Sequence, residues 1–207
     1  MKLLACPKCH QQLHLENKTL KCENNHCYDI SKRGYINLLL NPDKATNNPG
    51  DSKESLVARK AYLNKGYYDP ILNQVITCID EFKHQDDLSI LDLGCGEGYY
   101  TQGLKKYFEN SDIYGLDISK IAIDMATRYR KDVTWLVGNS KNIPILDHSL
   151  DFICALFTVV NQDELKRALK EDGYIVHVTA NNQHLIEIKE LIYDEIKVKS
   201  DKYIRLD

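Results

Sequence analysis

Between Ser52 and Asn64 the apolar residues Leu56, Ala61 and Leu63 share one side of a helical pattern, and Gly66 closes the segment. A second helix is predicted after Pro70, where Ile71, Leu72, Val75, Ile76, Ile79 and Phe82 keep the 3.6-residue period. Beyond it the pattern changes. Short apolar runs predict strands at 89–93, 112–116, 133–137, 150–156 and 174–179. They alternate with helical stretches at 99–109, 119–129, 161–169 and 183–196, which implies a parallel sheet. Residues 41–53 are polar and interrupted by Pro42 and Pro49, so they read as a linker or a binding loop. The chain divides into a compact module over 1–36, a linker with helices over 37–84, and an α/β domain over 85–207.

Composition narrows this picture. With 207 residues and 43% hydrophobic content, the chain has a real core, room for one ordinary domain plus a small appendage, and no global disorder. No apolar run approaches the roughly 18 residues of a membrane span. Residues 1–66 carry 11 Lys and Arg against 6 Asp and Glu, whereas residues 67–207 carry 16 against 24. The N-terminal third is therefore the part suited to a polyanion, beside the plainer reading of a solvated basic face. Seven cysteines, with no leader before Cys6, point to a reducing cytoplasm in which clustered thiols bind metal. Cys78, Cys95 and Cys154 sit in apolar or glycine-rich surroundings and read as packing residues.

Two motifs carry chemistry. The first is the run Ser89-Ile90-Leu91-Asp92-Leu93-Gly94-Cys95-Gly96-Glu97-Gly98, a buried strand opening into a glycine loop before a helix. A dinucleotide fingerprint needs a third glycine where this chain has Tyr99. What stands instead is D-x-G-x-G-x-G, with Asp117 ending the next apolar run 21 residues past Gly96. That is the pattern of an S-adenosylmethionine (SAM) pocket, with the glycine loop for the methionine end and the distal Asp for the ribose hydroxyls. The second motif is Cys6-x-x-Cys9 followed by Cys22-x-x-x-His26, two short knuckles able to close a tetrahedron around Zn2+. Cys27 is also in reach of the fourth position, and spacing alone leaves His26 and Cys27 open. With no free coordination position the ion would be structural, and a module this small would need it to fold. His10 and His14 read as surface residues.

The ordered motifs resemble the bacterial 23S rRNA guanine-N1 methyltransferases, a family that includes macrolide-resistance members. Besides Cys6-Pro7-x-Cys9 and Cys22-x-x-x-His26, the likeness runs through Gly34-Tyr35-Ile36-Asn37-Leu38-Leu39, Pro49-Gly50-Asp51-Ser52 and Ala58-Arg59-x-x-x-Leu63. It continues through Gly66-x-Tyr68-x-Pro70, Asp92 to Thr101, Gly115-Leu116-Asp117-Ile118-Ser119-Lys120 and His184-Leu185-x-Glu187-x-Lys189-x-Leu191-Ile192-Tyr193. The resemblance implies a class I, Rossmann-like SAM-dependent methyltransferase sheet with an N-terminal zinc module that recognises a 23S rRNA hairpin. It also implies a cytoplasmic homodimer with its RNA cleft between subunits. It selects His26 as the fourth ligand beside Cys6, Cys9 and Cys22, and it makes Tyr68, Gly96, Glu97 and His184 contacts of SAM. The general pattern of such folds adds Asp92, Gly94 and Asp117, with Asn139 and Ser140 beside the adenine.

The family's sheet has seven strands. Five are countable here and 196–206 is a candidate sixth, so the reading is a C-terminally incomplete sheet in a shortened chain. Residues 155–161 lack the family's proline-bearing stretch, and Lys170-Glu171-Asp172-Gly173 stands where a Pro-Gly turn is usual. Tyr68, Tyr99, Tyr100 and Phe157 are aromatic candidates for stacking on a target base, each with core or cofactor packing as the plainer role. Arg33, Arg59 and Lys60 are the candidate phosphate contacts. Two other readings follow from the same residues: an RNA-binding protein that retains SAM without transferring its methyl, and a small-molecule methyltransferase.

Overall fold

Six parallel strands form one sheet, and the glycine loop leaves it at the centre. The computed structural model describes residues 1–40, 50–181 and 183–193. Three short antiparallel strands come first, β1 (His14–Glu16), β2 (Thr19–Lys21) and β3 (Cys27–Asp29). The main sheet uses β4 (Ile36–Asn37), β5 (Ser89–Leu93), β6 (Asp112–Asp117), β7 (Thr134–Val137), β8 (Leu150–Leu156) and β9 (Leu169–Val178). Their order is β4-β7-β6-β5-β8-β9, and every pairing is parallel. Because β5 and β6 run towards one edge while the chain then returns to place β8 on the other side of β5, the order reverses at β5. In open α/β sheets ligands bind at the carboxyl ends of the strands at that reversal.

The helices are α1 (Lys53–Leu63), α2 (Asp69–Phe82), α3 (Tyr99–Tyr107), α4 (Lys120–Ala126), α5 (Gln162–Ala168) and α6 (Ile186–Ile192). Their starts are set by local chemistry. The Ser52 hydroxyl accepts from Ser55 N–H, Ser119 from Ala122 N–H, and the Asn161 side chain from Glu164 N–H. Pro70 sits in the first turn of α2, where no intrahelical donor is lost.

Side chains alternate across the strands, so the sheet has two packed faces. On one, Val75 and Ile79 of α2, Leu104 of α3 and Ile123 of α4 pack with Ile90, Ile113, Trp135 and Val137. The other face is covered by the N-terminal residues. Leu4, Leu13, Leu20 and Cys22 share one buried cluster with Leu91, Leu93, Tyr114, Leu116 and Leu136. The cysteine-bearing segment is thus part of the core of the whole protein, and β4 runs from it into the sheet edge.

Several expected elements differ in extent. The sheet's edge strand Ile36–Asn37 has two residues, too few to show an alternation. β9 begins at Leu169, five residues ahead of the predicted 174, and carries a register shift against β8 between Leu150 and Phe152. Gly173 lies in that irregular stretch, where a Cβ would stand 2.9 Å from the Leu150 carbonyl oxygen. α4 and α6 are shorter than the predicted helices, and Ala61 of α1 is exposed rather than on the buried side with Leu56 and Leu63. The candidate strand at 196–206 lies outside the described residues.

Candidate functional site

The metal quartet is built by two tight turns. In the first, His10 N–H and Cys9 N–H both point at the Cys6 carbonyl, with His10 left-handed at φ 59. In the second, Asn25 N–H donates to the Cys22 carbonyl and Asn25 is left-handed at φ 61. The turns bring Cys6, Cys9 and Cys22 sulfurs to 3.4, 3.5 and 3.4 Å from His26 Nδ1, with Cys9 and Cys22 sulfurs 3.6 Å apart. Ordinary Zn–S and Zn–N bonds in a tetrahedron put such atoms about 3.5–3.8 Å from one another, so this donor set fits a Zn2+ ion. Cys27 is turned away and its thiol faces the Asn25 carbonyl oxygen at 3.5 Å. Tyr28 Oη lies 3.3 Å from Cys6 Sγ, a hydroxyl able to donate to a bound thiolate.

The second centre is the loop after β5. Gly94, Gly96 and Gly98 all take positive φ, 73, 55 and 85°. They do so for different reasons. A Cβ on Gly94 would stand 2.2 Å from Thr158 Oγ1, and one on Gly98 would stand 2.6 Å from the Trp135 ring, so both are close approaches inside the protein. A Cβ on Gly96 would meet nothing within 4 Å. Its backbone faces open space, as a ligand cradle requires.

Two cavities meet at this loop. One, of about 280 Å3, is lined by Arg59, Tyr62, Tyr68, Gly94, Gly96, Glu97, Tyr100 and Phe157 among others. The other, of about 230 Å3, is lined by Gly94, Asp117, Ile118, Gly138, Asn139, Ser140 and Thr158 among others. Gly94 belongs to both. Tyr100 adds an observation of its own: its hydroxyl is buried and has no hydrogen-bond partner among the described residues. An orphaned hydroxyl in a cavity wall fits a polar ligand.

Three carboxyl groups surround the loop. Asp92 is buried beneath it and accepts the Thr101 hydroxyl. Burial pushes its pKa up to about 7, with Asp117 and Glu97 adding to the rise. Burial also raises Glu97 and Asp117, although Arg59 works against the rise in both and two backbone N–H groups do so in Asp117. Closely spaced buried acids favour a cation, and the sulfonium and ammonium of SAM are cationic.

Of the nine residues expected around SAM, Tyr68, Gly94, Gly96, Glu97, Asp117, Asn139 and Ser140 line the paired cavities, while Asp92 supports them from below. His184 does not join them. It stands in the exposed turn before α6, its N–H on the Asn181 carbonyl, and lines neither cavity. The sequence reading named no SAM contact among Leu156, Thr158 and Val159, yet Leu156 at the end of β8 lines the larger cavity and Thr158 and Val159 line the smaller one, on either side of Phe157 with its left-handed φ of 56°. No signal for that conformation exists in a Phe. Of the candidate phosphate contacts, Arg33 pairs with Asp124 at 2.7 Å, Arg59 pairs with Asp51, and Lys60 Nζ lies 3.4 Å from the Tyr129 ring centre. Among the described residues no helix is long and apolar enough to cross a membrane.

Comparison with known proteins bears on the same two centres. A family model described as a methyltransferase domain matches residues 90–173, and a zinc-ribbon model described as "RlmA, N-terminal" matches residues 4–45. The chain is 30% identical over 200 residues to a candidate 23S rRNA (guanine-N(1)-)-methyltransferase of Bacillus subtilis, covering 93% of this chain and 70% of that protein. It is 28% identical to the 23S rRNA (guanine(748)-N(1))-methyltransferase of Streptomyces fradiae, covering 100% of this chain and 73% of the relative. A solved structure of a candidate SAM-dependent methyltransferase from Methanococcus maripaludis matches with a TM-score of 0.52 at 22% identity. That match covers 71% of this chain and 74% of the other, a likeness of fold alone.

Proposed function

The chain belongs to the 23S rRNA guanine-N1 methyltransferase family, and from that premise we propose that it methylates N1 of a guanine in a 23S rRNA hairpin. The observation that carries the reading is the pair of cavities meeting at Gly94, with Glu97 in the wall of one, the half-buried Asp117 in the wall of the other and the buried Asp92 beneath the loop. Bound SAM supplies the electrophilic methyl group. The protein's own work is to hold the cofactor, expose the base and keep water out.

In this reading Asp117 takes the ribose hydroxyls, because each of its oxygens accepts one backbone N–H and retains a lone pair. Asn139 and Ser140 flank the adenine. Gly96, Glu97, Tyr68 and the Tyr100 hydroxyl surround the methionine end. His184 was assigned a contact by resemblance, and it would have to approach from its exposed turn to make one.

The target guanine bears a proton on N1 at neutral pH, which must pass to a base as the N1–methyl bond forms and the sulfur–methyl bond of SAM breaks, and its Watson–Crick edge is occupied when it is paired. It must be splayed out of the hairpin before it can react. Tyr62 and Phe157 are half exposed at the larger cavity, and the Tyr68 ring lies 6.2 Å from Phe157 and 6.1 Å from Tyr62. These rings offer a stacking surface beside the cofactor. The Cys6, Cys9, Cys22 and His26 quartet holds a structural zinc, and the basic N-terminal third meets the RNA backbone. A homodimer working in the cytoplasm, where rRNA is made, completes the reading.

The test is direct. Protein is incubated with SAM carrying a tritiated methyl group and a 23S rRNA transcript, and the label is mapped. Label at N1 of one guanine is the expected outcome. RNA retention and SAM binding with no transfer would instead leave a binding protein.

A further inference from the structure

We propose that Asn142 is a positioning residue through which the metal-bearing knuckle sets the adenosine wall of the cofactor cavity, an inference that rests on the assignment of that cavity to SAM. The wall residues Asn139 and Ser140 belong to a tight turn. Asn142 N–H donates to the Asn139 carbonyl at 3.1 Å, and Lys141 N–H donates to Asn139 Oδ1 at 3.0 Å. The same Asn142 then reaches out of the turn. Its Nδ2 donates at 2.8 Å to the carbonyl of Pro7, which stands between the quartet residues Cys6 and Cys9.

This contact is one of a series. Ala5 N–H donates to the Pro144 carbonyl at 3.1 Å, and Leu146 N–H donates to the Leu3 carbonyl at 2.8 Å. From the opposite side, Glu164 accepts Ile143 N–H at 2.6 Å, while Arg167 donates to the carbonyls of Ile143 and Ile145 at 2.7 and 2.8 Å. The connection between β7 and β8 is therefore held between the metal module and α5. Asn142 is the member whose side chain joins the knuckle to the turn that carries Asn139 and Ser140. It does so with its Oδ1 buried and unpartnered among the described residues, a desolvation cost that an apolar side chain would avoid.

The knuckle's shape depends on the ion, because Cys6 and Cys9 are two of its four donors. With the ion bound, the Pro7 carbonyl has one position, and the turn has one position with it. The two sites are thereby linked, and linkage is reciprocal: a ligand seated against Asn139 and Ser140 strengthens metal binding by the same factor that metal strengthens the ligand.

The experiment uses the full chain loaded with zinc and the product S-adenosylhomocysteine (SAH) as the probe. Zinc affinity is measured by competition with a chromogenic chelator, with and without saturating SAH, and SAH affinity by calorimetry. SAH is expected to raise zinc affinity by about fivefold in the unaltered chain. Asn142→Asp keeps the side chain's size but loses the Nδ2 donor, and Asn142→Ala loses both. In each, the effect of SAH should fall below about twofold while one zinc per chain is still bound. Lys141→Ala, exposed on the same turn, should keep the full effect. An unaltered chain that binds SAH with no change in zinc affinity overturns the proposal, as does an effect that survives both Asn142 substitutions. An unaltered chain that binds no SAH overturns the cavity assignment itself, and the coupling falls with it.

Discussion

The Asp117 carboxylate accepts the backbone N–H of Gly96 at 2.8 Å, tying the end of β6 to the glycine loop that follows β5. Its other oxygen accepts Ser119 N–H at 2.7 Å, at the start of α4. One side chain thus fixes the loop, the helix start and the wall of a cavity.

Asp117→Asn tests this arrangement with little change of shape. A carboxamide has one acceptor oxygen, so one of the two backbone N–H groups must then face an NH2 group. Hydrogen bonds to charged groups are worth about 1.5–3 kcal/mol, which predicts a stability loss of that order, and the displaced loop with its weakened ribose acceptor should lower SAH affinity roughly tenfold. Calorimetry on the folded variant checks it. Unchanged affinity would remove Asp117 from the cofactor site.

The three loop glycines should respond differently to alanine. Gly98→Ala drives a Cβ to 2.6 Å from the Trp135 ring and 3.1 Å from Ala126, in a left-handed conformation, so the protein should lose several kcal/mol of stability. Gly96→Ala has room for its Cβ and bears about 1 kcal/mol of backbone strain. That variant should melt within a few degrees of the parent, yet its methyl group projects into the cradle and should weaken SAH binding at least about tenfold. Thermal melts paired with calorimetry separate the two outcomes.

Much of the fold could be read from local pattern because parallel strands buried on both faces write themselves as continuous apolar runs. Ser89–Leu93 and Leu150–Leu156 are of this kind. The glycine loop and the quartet were legible for a related reason, since each is a short-range motif with fixed spacing. What could not be read depends on distant partners. Ile36–Asn37 is a strand by virtue of its pairing with Leu136 and Val137 a hundred residues away. Thr158 reaches Gly94 through a left-handed Phe157, a conformation its residue type disfavours. The packing of Leu4 and Leu20 against Leu91 and Leu116 leaves no trace in the spacing of the cysteines.

That shared packing has a consequence for metal removal. Because Cys6 and Cys22 are buried in the same cluster as the sheet leucines, loss of the ion should loosen one whole face of the sheet as well as the N-terminal turns. His26→Ala is expected to abolish stoichiometric zinc and lower the melting temperature by on the order of 10 °C. Cys27→Ser removes a thiol that faces the Asn25 carbonyl and should keep both zinc and melting temperature. Elemental analysis with thermal denaturation checks the pair. Zinc retained by His26→Ala and lost by Cys27→Ser would exchange their roles.

Asp92 makes stability depend on pH near neutrality. The side chain is 1% exposed, and burial holds its pKa at about 7 in the folded protein, against about 3.9 in an unfolded chain. A raised folded value means that the native state keeps a proton the unfolded chain has already released. The contribution is therefore complete below about pH 4 and is lost as pH rises through about 7. The slope is at most about 1.4 kcal/mol per pH unit, a total of about 4 kcal/mol for this one group. Urea unfolding of the ligand-free protein should accordingly give a free energy that declines between pH 5 and pH 8. Asp92→Asn mimics the protonated acid and still accepts the Thr101 hydroxyl, so it should flatten the decline. It should match the parent only below about pH 4, exceed it by about 1.5 kcal/mol at pH 5 and by about 4 kcal/mol at pH 8. Glu97 and Asp117 are shifted in the same direction by burial. An Asp92→Asn profile as steep as the parent's would therefore move the titration onto those two carboxyls.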